Sequence, residues 1–503
     1  MSPVTWQTQP LIYQINTWPW LRELSDRYER SITLADLEPD MLPPELQYFD
    51  AVWLMGVWTR SPAGREIAHN LPSLHEECRR NLPDLTLDDL VGSAFSIFSY
   101  NVDPALGGAA GIAHARDMLH DQSLLVLLDF VPNHVGTDNP WLLDHPDWFM
   151  QGSPAELYSE DHGVRAFQQV GDYIFAHGRD PYFPPWIDTI QVNAFSPGLR
   201  QAYIDTLRQV AEWCDGVRCD TAMLLVTRIV QKTWGGRAGD PLPTEIWSDV
   251  IPAVKEEHPA FKFIAEVYWD MEWELQQQGF DFCYDKVLYD KLTRDSPAGI
   301  RAHLRADLGY QQKLLRFIEN HDEPRATAQL GQQRAKAAGL LALTAPGAKL
   351  VLEGQLQGHL LKVPVQLGRR QLEQSIPNVE RFYEVVLPFL RENLPDGGQW
   401  SLIDVQGAWD SDAENPFIGF LWTYETHSVL IVVNYSSRAG NGAVYFPPRQ
   451  NSNEDSLEWD IFDLFTGQSL TYSQDTLHEQ GLAIILPPWG TWILKMTPVP
   501  DAQ

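Results

Sequence analysis

Eight short apolar runs of strand length alternate with longer helical patterns between residues 11 and 354, and this alternation limits the available folds more than any other feature. The runs are LIYQIN (11–16), AVWLMG (51–56), SLLVLLDFV (123–131), GVRCD (216–220), FKFIAEV (261–267), FDFCYD (280–285), KLLRFIEN (313–320) and AKLVLEG (348–354). Helical stretches such as Gly111–Gln122, Pro197–Trp213, Trp247–His258 and Gln332–Leu343 lie between them. Right-handed βα crossovers close eight such strands into an α/β fold, a (β/α)8 TIM barrel, with its site at the carboxyl ends of the strands.

Two connections, 57–122 and 134–195, are too long for simple βα loops, and loops of that length are usually functional. The second is rich in Trp, Phe, Tyr, His and Pro, and reads as a small excursion domain after strand 3. From residue 393 the pattern changes to alternating runs such as FIGFLWTY and SVLIVVNYSS split by turn residues, which predicts a C-terminal all-β sandwich. The expected organisation is a barrel from 1–133 and 196–392, the excursion at 134–195, the sandwich at 393–503, and PVPDAQ as a frayed tail.

At 503 residues the chain suits a large barrel with a smaller appendage. A net charge of −30 argues against nucleic acid or an anionic membrane as partner. Cys78, Cys214, Cys219 and Cys283 lack metal-ligand spacing and read as reduced thiols of a cytoplasmic protein. No signal peptide or bilayer-length apolar run is visible, and no segment sets an oligomeric state. The 19 Trp, 17 Tyr and 21 Phe supply flat rings suited to pyranose faces, although most must be core.

Four of the segments carry chemistry: DFVPNH (129–134), GVRCD (216–220), AEV (265–267) and ENHD (319–322). They put Asp220, Glu266 and Asp322 at three strand ends, the arrangement that hydrolysis of a sugar acetal needs. Period-two alternation puts Arg218 and Asp220 on one face, so Arg218 can keep Asp220 ionised as a nucleophile. Glu266 follows an apolar run, and desolvation there would suit a general acid. Spacing gives no reason to prefer Asp322 over its neighbours Glu319 and Glu323 as a third carboxylate. His134 and His321 can donate hydrogen bonds to sugar hydroxyls, and Asp129 reads as a support from beneath. Taken singly, each of these has a bland alternative as a structural pair, cap or core residue.

In this order, and with an excursion after the first, the segments resemble the α-amylase family of α-retaining glycoside hydrolases and transglycosidases. The resemblance implies that Asp220 is the nucleophile, Glu266 the acid/base and Asp322 the transition-state stabiliser. It further implies that Arg218, His134 and His321 bind the attacked sugar and that Tyr100 stacks on it, with Asp129 and Asn133 supporting. Where relatives active on starch often carry Lys-His after the nucleophile, this chain has Met223 and Leu224, which predicts a more apolar acceptor side. Where many relatives hold calcium with an Asn and an Asp, Asn133 is matched by Gln191, with Asp188 out of register. A neutral amide is a weak ligand for a hard cation, so no metal or other cofactor is expected.

The resemblance implies hydrolysis of α-1,4-glucosidic bonds in maltooligosaccharides, starch or glycogen. The alternatives are a transglycosylase or disaccharide-processing enzyme of the same family and, with all three carboxylates retained, less readily a non-catalytic carbohydrate-binding relative. Trp58, Trp141, Phe183 and Trp186 are candidate sugar-binding aromatics, each with core packing as the commoner fate.

Overall fold

A computed structural model describes residues 4–294, 296–447 and 458–499. Each predicted apolar run carries one barrel strand: β1 Leu11–Asn16, β2 Ala51–Met55, β3 Leu125–Phe130, β4 Gly216–Cys219, β5 Lys262–Ala265, β6 Phe282–Tyr284, β7 Leu314–Arg316 and β8 Ala348–Leu352. They close into a barrel in which sequence order is spatial order. Several strands stop short of the apolar run at the carboxyl end, β4 before Asp220 and β5 before Glu266, because there the chain turns from ladder to site. The described residues form two compact units, one drawn from 1–6, 10–284 and 361–372, the other from 7–9, 285–360 and 373–503.

In the first unit the amino ends of the strands are tied by a repeated device. An aspartate just before an even-numbered strand accepts the first amides of its odd-numbered neighbour: Asp50 takes Leu11 N at 2.9 Å, Asp215 takes Val126 N at 2.7 Å and Asp281 takes Phe263 N at 2.9 Å. Each carboxylate fixes register at the closed end and leaves the carboxyl ends free for chemistry. Gly216 opens β4 where a Cβ would sit 2.6 Å from the Lys262 carbonyl oxygen, so a side chain there would push β4 and β5 apart. Between β3 and the helix Pro197–Ala211, hairpins pair His134–Gly136 with Thr189–Gln191 and Phe167–Val170 with Tyr173–Ala176. The helix begins cleanly because Ser196 caps Leu199 N and Pro197 occupies its first turn.

In the second unit, β7 and β8 are followed by the long helix Pro377–Asn393 and two antiparallel sheets. One sheet has six strands and the other three, and Val405, Phe417, Leu430, Val432, Leu482, Ile484 and Leu494 share a core. The alternating burial of strand Leu482–Leu486 is what a sheet with one wet face requires. Pro498 and Val499 belong to the last strand, Thr491–Val499, and the rest of the expected tail lies outside the described residues. No helix among the described residues is long and apolar enough to cross a membrane. All four cysteines are buried free thiols.

Candidate active site

The centre of the first unit's site is one guanidinium shared by two carboxylates. Arg218 Nη1 donates to Asp220 Oδ1 at 2.6 Å, and Arg218 Nη2 lies 2.8 Å from Glu266 Oε2. Arg218 is 1% exposed, Asp220 6% and Glu266 3%. The rings of Trp53, Phe95 and Tyr284 surround the guanidinium at 5.3–5.6 Å, so the cation is compensated by π faces as well as by acids. Backbone ladders set the acids side by side: Asp220 N bonds the Phe130 carbonyl, and Glu266 N bonds the Cys219 carbonyl.

Thr221 completes the arrangement. Its φ of +41° puts a β-branched residue in the left-handed region, a strained conformation that aims its amide at Glu266 Oε2, 2.6 Å away. Its hydroxyl donates to Asp220 Oδ2 at 3.1 Å. The other Glu266 oxygen, Oε1, accepts from the Tyr268 hydroxyl at 2.6 Å. Glu266 is therefore buried, as its apolar run implies, but both its oxygens meet donors rather than apolar groups. Tyr268 was not singled out from the sequence, although the period-two rule that pairs Arg218 with Asp220 also pairs Glu266 with Tyr268.

The remaining first-unit candidates divide by role. Asp129 is fully buried and committed to structure: Oδ1 accepts from Trp53 Nε1 at 3.0 Å and Oδ2 from Gly56 N at 2.6 Å. Tyr100 ties its hydroxyl to both the amide and the carbonyl of Val131, and burial pushes its phenol well up. His134 packs edge-on to Trp186 at 5.1 Å. Burial lowers the His134 pKa, against the pull of Asp220, which favours the neutral ring. Of the aromatic candidates, Trp58 is buried core, Trp141 packs on Trp148, and Phe183 stands exposed. Met223 and Leu224 are buried in the turn Ala222–Leu225 that follows the Asp220 strand end.

The residues at the family's calcium position do not fit a hard cation. Gln191 Nε2 donates to Asn133 Oδ1 at 3.0 Å, and Gln191 Oε1 accepts from Arg179 N at 3.2 Å and Asn133 Nδ2 at 3.3 Å. The amides spend their oxygens on each other and on the backbone. Among the described residues, no group of three or more His, Cys, Asp or Glu side chains is placed to hold a metal ion.

In the second unit the three acids after β7 have different environments. Glu319 is buried against Arg325 at 3.1 Å and accepts the Ala326 amide at 2.5 Å. Glu323 pairs with Lys286 at 3.0 Å. Asp322 is partly exposed, with Oδ2 3.0 Å from His321 Nε2. Asn320 shapes the turn by accepting the amides of both Asp322 and Glu323 at 2.9 Å.

A closed eight-stranded parallel barrel with carboxylates at its strand ends defines the broad class, a TIM-barrel protein. No family model matches the chain. The chain is 24% identical to α-amylase MalA of Haloarcula japonica over 67% of its own length and 47% of that protein's. It is also 24% identical to the 1,4-α-glucan branching enzyme GlgB 1 of Xanthomonas euvesicatoria over 77% of its own length and 56% of that protein's. The chain thus spans about half the length of these curated relatives. Its fold matches the α-amylase of Geobacillus thermoleovorans solved with acarbose, with a TM-score of 0.68 at 18% identity over 99% and 100% of the two chains. In sequence and in fold the chain is thus similar to proteins of the α-amylase family.

Proposed function

We propose that this chain is a retaining glycoside hydrolase that cleaves α-1,4-glucosidic bonds in maltooligosaccharides, starch or glycogen. The observation that carries the reading is the single Arg218 guanidinium touching both Asp220 and Glu266. It keeps the two carboxyl groups within the span of one side chain, in keeping with the short separation of about 5–5.5 Å used by retaining enzymes.

In the first step an Asp220 oxygen attacks the anomeric carbon while Glu266 gives its proton to the glycosidic oxygen. The bond between them breaks, the shorter sugar leaves, and a β-glucosyl ester forms on Asp220. In the second, the Glu266 carboxylate takes a proton from water as the water oxygen attacks the same carbon, and Asp220 departs as a carboxylate. The Tyr268 hydroxyl suits both halves, since it can donate to ionised Glu266 and accept from its protonated form. Asp322 is assigned to hydroxyl binding and to favouring the oxocarbenium-like charge, and Arg218, His134, His321 and Tyr100 to the attacked sugar. Asp129 and Asn133 act as supports. The chemistry needs no cofactor or metal, and the partner is an α-glucan rather than nucleic acid or a membrane. Acidic composition and buried free thiols favour a cytoplasmic setting.

A second reading replaces water with a sugar hydroxyl in the second step, giving transglycosylation. It is favoured by the similarity to a branching enzyme. A product time course with maltoheptaose, with Asp220→Asn as control, separates the two. Shorter sugars with new reducing ends mean hydrolysis, and products longer than the substrate mean transfer. Substantial turnover by Asp220→Asn would sink the nucleophile assignment.

A further inference from the structure

The turn that carries Thr221 is held from several sides. Ala222 N donates to the Glu266 carbonyl at 3.0 Å, Leu224 N to the Thr221 carbonyl at 2.9 Å, and Trp247 Nε1 to the Ala222 carbonyl at 2.9 Å. These bonds keep a β-branched residue at φ +41° and ψ +42°, a left-handed conformation that persists only where the surroundings impose it. A glycine would sit there without strain and would offer Glu266 the same amide. The amide therefore does not account for the threonine. What a glycine lacks is the hydroxyl, which lies 3.1 Å from Asp220 Oδ2.

We propose that the Thr221 hydroxyl is the donor that releases Asp220 from the glucosyl ester, and so sets the relative rates of the two half-reactions. The inference rests on the reading of Asp220 as nucleophile and Glu266 as acid/base. The Asp220 oxygens are held unequally: Arg218 Nη1 donates to Oδ1 at 2.6 Å, which leaves Oδ2 to bond the anomeric carbon. In the ester, Oδ2 is shared with that carbon, bears little charge and is a poor acceptor. In the second step the carbon–Oδ2 bond breaks and its electron pair returns to Oδ2. The water oxygen bonds the carbon, and Glu266 takes the proton from the water. Negative charge grows on Oδ2 as this happens, so a hydroxyl beside it stabilises the transition state more than it stabilises the ester. That difference is the condition for speeding a step. In the first step the same bond acts the other way, because charge leaves Oδ2 and the donor that held it opposes the change. Thr221 thus slows ester formation slightly and speeds ester hydrolysis.

The test uses a maltosyl fluoride with a second fluorine at C5 of the reacting ring. That fluorine destabilises the oxocarbenium-like charge and slows both steps, so the ester accumulates. Mass spectrometry of the protein then follows its formation, and the return of activity after removal of excess reagent follows its decay. Thr221→Val and Thr221→Gly should each slow decay by roughly tenfold, the scale of one hydrogen bond to a developing charge, without slowing formation. Thr221→Ser, which keeps the hydroxyl, should decay at the wild-type rate. The glycine variant keeps the amide and removes the strain, so it reads the hydroxyl even if the valine variant folds poorly. Decay unchanged in Thr221→Gly, or formation and decay slowed by the same factor, overturns the assignment and leaves Thr221 a structural residue. A wild-type protein that forms no ester on Asp220 overturns the nucleophile reading itself.

Discussion

Replacing Arg218 with methionine tests whether the shared guanidinium is the electrostatic keystone of the site. Arg218 lies 2.6 Å from Asp220 Oδ1 and 2.8 Å from Glu266 Oε2, with all three side chains buried. At an effective dielectric near 20, each contact represents a gross attraction of about 6 kcal/mol, most of it offset by the cost of desolvating the ions. Removing the cation leaves a buried carboxylate uncompensated beside a second acid, so Arg218→Met should cost about 3–5 kcal/mol of unfolding free energy at neutral pH. The assay is equilibrium urea unfolding of the single variant and of Arg218→Met combined with Asp220→Asn and Glu266→Gln. Uncharged amides remove the uncompensated buried charge, so the triple variant should be more stable than the single one and recover most of the loss. The single variant should also gain stability as acid protonates the orphaned carboxylates. A single-variant loss below about 1 kcal/mol, or a triple variant no more stable than the single, would refute the argument from buried charge.

Tyr268→Phe removes the donor to Glu266 Oε1 and should cut maltoheptaose turnover about tenfold, the lower end for a hydrogen bond to a charged group. Hydrolysis of α-glucosyl fluoride, which needs little proton donation, should fall much less, and an equal fall on both would make Tyr268 merely structural. Burial lowers the pKa values of His134 and His177 below 6.5, so the neutral rings are favoured in the folded state. Their contribution to stability is therefore full above the unfolded value of about 6.5 and is lost as pH falls through the folded values. Unfolding free energy should drop with acid in that window by up to about 1.4 kcal/mol per pH unit for each proton taken up, and His177→Gln should make the slope shallower. An unchanged slope would count against it.

The barrel strands were legible because buried strands write themselves as apolar runs of fixed length bounded by turn residues, as SLLVLLDFV does before its polar NH. The Arg218–Asp220 contact was legible too, since both residues lie on one strand face. What lay outside the sequence's reach was conformation and cross-chain partnership. Nothing in GVRCDT announces that Thr221 turns left-handed, a conformation its branched side chain disfavours. The acids of ENHDE look alike until Glu319 finds Arg325 and Glu323 finds Lys286, partners set by packing rather than spacing.

The roles proposed for Asp220 and Glu266 draw on the donors that surround Arg218. Asp220 Oδ1 receives the 2.6 Å bond from the arginine itself and Oδ2 only a longer 3.1 Å bond from a hydroxyl. That oxygen is the one left lightly held, as an attacking atom should be. Glu266 Oε2 is closed by the Thr221 amide and the arginine, neither of which can accept a proton. Its Oε1 meets a group that can reverse from donor to acceptor, the Tyr268 hydroxyl at 2.6 Å. On the proposed roles, this arrangement leaves Asp220 an oxygen with which to attack and gives Glu266 a partner that can either donate to it or accept from it.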